Sequence, residues 1–136
     1  DRRKGADSGV DGYLYFFDDT TDKAKKVVVQ VKSGRVNVGD IRDFRGTIER
    51  EQAVIGAFIT LEEPTKPMLT EAASAGAYEP AAFYGQRRYP RIQILTAKDL
   101  LDGKGLRLPL VAVIDTYRMA PRREKNVAKK VELIRG

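Results

Sequence analysis

Val27-Val28-Val29-Gln30-Val31-Lys32-Ser33-Gly34 is the stretch whose reading decides the fold, taken with the turn ahead of it, Gly9-Val10-Asp11-Gly12. A run of β-branched residues stopped by Ser-Gly has the pattern of a buried strand. Side chains alternate faces along a strand, so Gln30 and Lys32 share one face while Val29 and Val31 take the other. A strand that buries valines has no folding reason to set an amide and an ammonium side by side near its end. Chemistry is therefore expected at that end.

Working outward, Tyr13 to Asp19 is aromatic and apolar and reads as a strand, with "DDTTDKAKK" as a solvated connection. Lys25 to Lys32 is then the return strand of an antiparallel hairpin. In such a hairpin the start of one strand lies beside the end of the other. Asp11, at the start of the first strand, is thereby expected to converge with Gln30 and Lys32 at one end of the sheet. Gly12 and Ser33-Gly34 leave room there for the backbone of a ligand.

Beyond the hairpin the period changes. From about Asp40, Ile41, Phe44 and Ile48 recur at helical spacing, with Asp40 or Asn37 as the cap. Arg42, Arg45 and Arg50 on this helix read as an ordinary surface paired with Asp43 and Glu49. Ala53 to Thr60 is a fully apolar strand, Pro67 opens a second helix that Gly76 ends, and "AYEPAAFYGQRRYP" is irregular. Arg91 to Thr96 is a third buried strand, followed by a short helix capped by Thr96. The order is hairpin, helix, strand, helix, strand, helix. It describes an α/β fold with a mixed central sheet, hairpin plus helical crossovers, flanked by helices.

Residues 104–136 read differently. "LPLVAVIDTYRMAP" fits an edge strand or an extended arm, and "RREKNVAKKVELI" a basic amphipathic helix on Val127, Val131 and Ile134 or a disordered tail. The chain starts at Asp rather than Met, which suggests a piece of something longer.

Composition narrows the chemistry. The 136 residues, 42% hydrophobic, suffice for one domain with a core. No apolar run spans a bilayer and no secretory pattern opens the chain, so a soluble cytoplasmic protein is expected. Cys, His and Trp are absent, which excludes thiol nucleophiles, Cys/His zinc sites and histidine bases. Carboxylates, lysine, hydroxyls and hard metals remain. The net charge of +6 favours a polyanionic partner.

One carboxylate, one neutral oxygen ligand, a backbone carbonyl and a lysine suit Mg²⁺-assisted phosphodiester hydrolysis, with Mn²⁺ as a substitute. Asp11, the Gln30 amide oxygen and the Val31 carbonyl would hold the metal. Lys32 would orient the attacking water and offset transition-state charge. The bland alternatives are an Asp11 that only makes an Asx-type turn beside Gly12 and a Lys32 that is only a solvated strand end.

At these residues the sequence resembles the Mrr-like branch of the restriction-endonuclease fold with its PD-(D/E)xK motif. "GVDG" and "VVVQVKSG" carry the motif, and "IRDFRGTIERE", "GAFIT", "EAASAG" and "YPRIQILTAKDLL" extend the likeness over roughly Gly5 to Leu101. The resemblance puts the motif aspartate on Asp11, the middle ligand on Gln30 and the lysine on Lys32. It implies a nuclease-fold domain over residues 1–103 with a basic extension over 104–136, acting on duplex DNA with a divalent metal in restriction-modification, on modified DNA among other substrates. Lys4, Ser33, Arg35, Arg87 and Arg88 are the candidate phosphate contacts, and cleavage of both strands makes a homodimer attractive.

Two departures motivate an alternative. The family fold opens with a helix that often bears a further acidic ligand, for which this chain starts too late, and Gln30 is neutral. The alternative is an inactive nuclease-fold module that binds or targets DNA for a fused methyltransferase or helicase. A basic module for RNA or protein is a third reading.

Overall fold

In the computed structural model the described residues are 9–17, 23–80, 87–109 and, by backbone alone, 112–114. The elements run β1 (Gly12–Phe17), β2 (Lys25–Lys32), α1 (Val38–Arg50), β3 (Ile55–Thr60), α2 (Lys66–Ser74), β4 (Ala77–Tyr78), β5 (Tyr89–Pro90), β6 (Ile92–Thr96), α3 (Ala97–Leu101) and β7 (Ala112–Ile114). The central sheet has the order β6-β3-β2-β1-β7. β1 and β2 form the antiparallel hairpin, with Gly12 opposite Val29. β2, β3 and β6 are parallel, joined by crossovers through α1 and α2. The mixed α/β sheet expected from the alternation of strand and helix patterns is thus what forms.

Each face of the sheet has its own core. On one, Val28, Phe58 and Ile92 meet Ile41, Phe44 and Ile48 of α1 and Met68 and Ala72 of α2. Gly56 of β3 makes this approach possible, since a Cβ there would run into Ile48 and lie 2.7 Å from Cε2 of Phe44. On the other face, Val29, Ala57 and Ile59 pack with Leu100 of α3. Leu14, Phe16, Val27 and Ile55 gather on that side with Leu106 and Leu108.

Residues past 103 share this framework. The buried Gln93 side chain donates to the Arg107 carbonyl at 3.0 Å and accepts from the Arg107 amide at 2.8 Å. It replaces a missing strand neighbour for that peptide, leaving neither group unsatisfied. The chain then supplies β7, the edge strand beside β1. The fold therefore continues at least to Ile114. The rest of the expected extension lies outside the described residues.

Three local readings were resolved or revised. α1 starts at Val38 because Asn37 is its cap, and Asp40 is the reciprocal member of the capping box rather than the cap. Arg42 and Arg45 reach across to Glu71 of α2 at 3.5 and 3.2 Å, not to Asp43 and Glu49 on their own helix. The segment read as irregular contains the small β4–β5 pair, Ala77 opposite Pro90.

Candidate functional site

Asp11, Gln30 and Lys32 stand at one end of the central sheet, where the hairpin sets the start of β1 beside the end of β2. The Asp11 amide donates to the Val29 carbonyl at 2.7 Å, carrying the β1–β2 ladder one step past Gly12. That step sets Asp11 level with Gln30. The Asp11 carboxylate does more than close a local turn. Its Oδ2 accepts the Val31 amide of the neighbouring strand at 2.7 Å. A charge-assisted bond of this kind ties the two strands together where the regular ladder stops.

Gln30 lies against Gly9. A Cβ on Gly9 would come 2.6 Å from Nε2 of Gln30, and Gly9 has φ +73°, a left-handed conformation that suits glycine. The turn Gly9-Val10-Asp11-Gly12 therefore positions both Asp11 and the surface on which the Gln30 amide rests. Lys32 is half-exposed, and its Nζ stands 3.4 Å from Oδ1 of Asp40. The other Asp40 oxygen, Oδ2, accepts the Asn37 amide at 2.8 Å. One carboxylate thus closes the cap of α1 and holds the lysine at the end of β2.

Gly9 and Asp40 are the site residues that the motif does not include. Asp40 was legible only as a capping candidate, because its contact with Lys32 depends on how the Ser33–Asn37 loop returns. Gly9 left only the signal of a glycine ahead of Asp11. Val31 turns its side chain to the opposite face and is exposed.

The candidate phosphate contacts divide. Ser33 and Arg35 are exposed on the loop that follows Lys32 at the site end. Arg87 and Arg88 precede β5 and β6, whose chain enters the sheet beside the start of β3. That is the far end from Lys32, which is level with Thr60 at the finish of β3. Arg88 also pairs with Glu79 at 2.9 Å. Lys4 lies outside the described residues.

The donor set determines what this arrangement can do. A hard divalent cation is held by several oxygens, with carboxylates supplying most of the charge. Here the motif contributes one carboxylate, one of whose oxygens already accepts a backbone amide, and one neutral amide. Asp40 is engaged by Lys32 and the helix cap. Among the described residues there is no group of three or more His, Cys, Asp and Glu side chains able to hold a metal. The described residues are a poor fit to a Mg²⁺ site. Among the described residues no helix is long and apolar enough to cross a membrane.

The family model described as NACHT-associated inactive Restriction Endonuclease 1 matches residues 1–102. No curated protein and no solved structure matches the chain. The mixed sheet, the crossovers and the family match agree on a restriction-endonuclease-like domain.

Proposed function

The chain belongs to the NACHT-associated inactive restriction endonuclease 1 family, and from that premise we propose that it is a non-catalytic nuclease-fold module that binds duplex DNA for an attached NACHT-type module. The observation that carries the reading is the engagement of the motif residues with the protein itself. Asp11 is spent on the Val31 amide and Lys32 on Asp40. Gln30 adds no charge for a metal. The residues that would hold a metal and orient an attacking water serve instead to fasten a strand end to its neighbours.

A NACHT-type fusion, suggested by the family description, takes the place of the methyltransferase or helicase partner. The closer kinship to the Mrr-like branch is part of the proposal and rests on the D…QxK spacing of Asp11, Gln30 and Lys32. DNA affinity is supported by the net charge of +6 and by exposed Arg35 at the site end. Binding of this kind draws on phosphate contacts and weakens steeply with salt.

The test is a duplex-binding titration at two salt concentrations, paired with incubation of supercoiled plasmid in Mg²⁺ or Mn²⁺. Salt-sensitive binding that chelator leaves intact, with plasmid unnicked, is expected. Nicking that disappears in both Asp11→Ala and Lys32→Ala would overturn the reading in favour of an active nuclease. Absence of duplex binding at low salt would remove the DNA partner.

A further inference from the structure

Arginines gather where β6 enters the sheet. Arg87 and Arg88 lead into β5, and Arg91 stands between β5 and β6. Arg107 comes from the segment after α3, and nothing in the sequence puts it with them. The Gln93 side chain, 8% exposed, does so. Its Nε2 donates to the Pro90 and Arg107 carbonyls, each at 3.0 Å, and its Oε1 accepts the Arg107 amide at 2.8 Å. With both donors and the oxygen engaged, one buried amide joins the Arg107 peptide to the turn that carries Arg91.

The backbone beneath these side chains is held on several sides. The Arg91 amide donates to the Gly76 carbonyl at 3.0 Å, and its own carbonyl accepts the Gly56 amide at 2.7 Å. Tyr78 and Tyr89 face each other across the β4–β5 pair and pack on the core of Leu14, Phe16, Val27 and Ile55. The side chains of Arg87, Arg88 and Arg107 are exposed on this support. Planar guanidinium groups present parallel donors that match phosphate oxygens.

The surrounding charge favours an anion at this end. Among the described residues Glu79 is the acid within the group, and Arg88, which pairs with it at 2.9 Å, still has a side chain 68% exposed. Glu51, at the end of α1, is engaged by Lys26 at 3.3 Å. The motif end differs. There β2 and β3 finish level with each other, at Lys32 and Thr60, and the exposed Glu62 and Glu63 follow Thr60. Together with Asp11 and Asp40 they intersperse acids among Lys32, Arg35 and Lys66. Ile55 to Thr60, the length of β3 between the two ends, is about 17 Å of strand.

We propose that the group Arg87, Arg88, Arg91 and Arg107 is the surface on which the module takes the phosphate backbone of duplex DNA, at the end of the sheet opposite the nuclease motif. This rests on the DNA reading above and adds the place. It also explains how binding survives in a fold whose motif residues are engaged with the protein itself, because grip and motif occupy different ends of the sheet.

The test is duplex binding by the full chain across a range of salt concentrations. The natural protein is compared with Arg91→Gln/Arg107→Gln, whose backbone bonds do not depend on the side chains replaced. The control, Arg42→Gln/Lys98→Gln, removes the same charge from side chains 63% and 78% exposed on α1 and α3. Each phosphate contact contributes about 0.9 to the slope of log K against log salt. The first variant should therefore bind more weakly, with a slope smaller by about 1 for each arginine lost, while the control keeps the natural slope. Thermal melts check that each variant folds, and the exposed single change Arg88→Gln should lower the slope by about 1 on its own. A natural slope in the arginine variants, or an equal loss in the control, would overturn the proposal and leave the DNA reading standing. Absence of duplex binding by the natural protein at low salt would remove both.

Discussion

The Asp11 carboxylate and the Val31 amide, on neighbouring strands, share a 2.7 Å hydrogen bond at the end of the hairpin. It makes Asp11 a strap between β1 and β2. Removing it should therefore be read in stability. Asp11→Ala is expected to cost about 1.5 kcal/mol, the lower end of the range for a hydrogen bond to a charged group, because this bond is solvent-exposed. Asp11→Asn, which keeps an acceptor oxygen, should recover part of that loss. Urea denaturation of the three proteins decides, and an unchanged midpoint in Asp11→Ala would show that the strap contributes nothing.

The Lys32–Asp40 pair is partly exposed, with side-chain exposures of 40% and 18%. Pairs of this kind are worth roughly 0.2–1 kcal/mol and weaken as salt is added. Lys32→Met should lie within that range. Asp40→Ala should cost more, because the Asn37 amide loses its acceptor as well. A double-mutant cycle measures the coupling, which should fall when NaCl is raised to about 1 M, where screening extends over only ~3 Å.

Gln30→Glu would place a second carboxylate level with Asp11. Like charges repel, so the variant should be less stable than the natural protein in chelator. Mn²⁺ should return that stability, because a ligand that binds only the folded state raises the melting temperature. The natural protein should show no such rise. A clear Mn²⁺-dependent shift in the natural protein would mean that Asp11, Gln30 and Val31 hold a metal after all.

The Asp99 carboxyl titrates below its ordinary value of 3.8, chiefly because it accepts the Thr96 backbone amide; desolvation opposes the shift, and the Thr96 hydroxyl and Lys104 add to it. A depressed folded value means that the charged form is favoured by folding. The stabilisation is fully present above the ordinary value and is lost as pH falls through the lower folded one. Asp99→Asn should therefore be less stable than the natural protein near neutral pH. The difference should vanish on acidification below the folded value, as followed by urea midpoints across pH. A difference that persists in acid would assign the effect to packing at the start of α3.

Gly56→Ala should cost about 1–3 kcal/mol, since the new methyl overlaps Ile48 and Phe44 and overpacking carries penalties of this size. By contrast Gly34→Ala meets nothing within 4 Å and should be close to neutral. Thermal melts of the pair make the comparison.

The hairpin, the helical crossovers of the central sheet and the placement of Asp11, Gln30 and Lys32 at one end of it were already legible in the sequence alone. These rest on local rules. Hydrophobic period separates strand from helix, and an antiparallel hairpin sets the start of one strand beside the end of the next. β2 accordingly covers Lys25–Lys32, the span its valines and flanking lysines imply. What these polar groups are bonded to was decided only by tertiary structure. Hydrogen bonds and ion pairs demand positions good to a fraction of an ångström. Those positions depend on the register of β2, the path of the Ser33–Asn37 loop and the approach of α1 to α2. So Asp11 reaches Val31, Lys32 reaches Asp40, and Arg42 and Arg45 leave their own helix for Glu71. A motif names the residues at a site, but the contacts that engage or release them belong to the assembled fold.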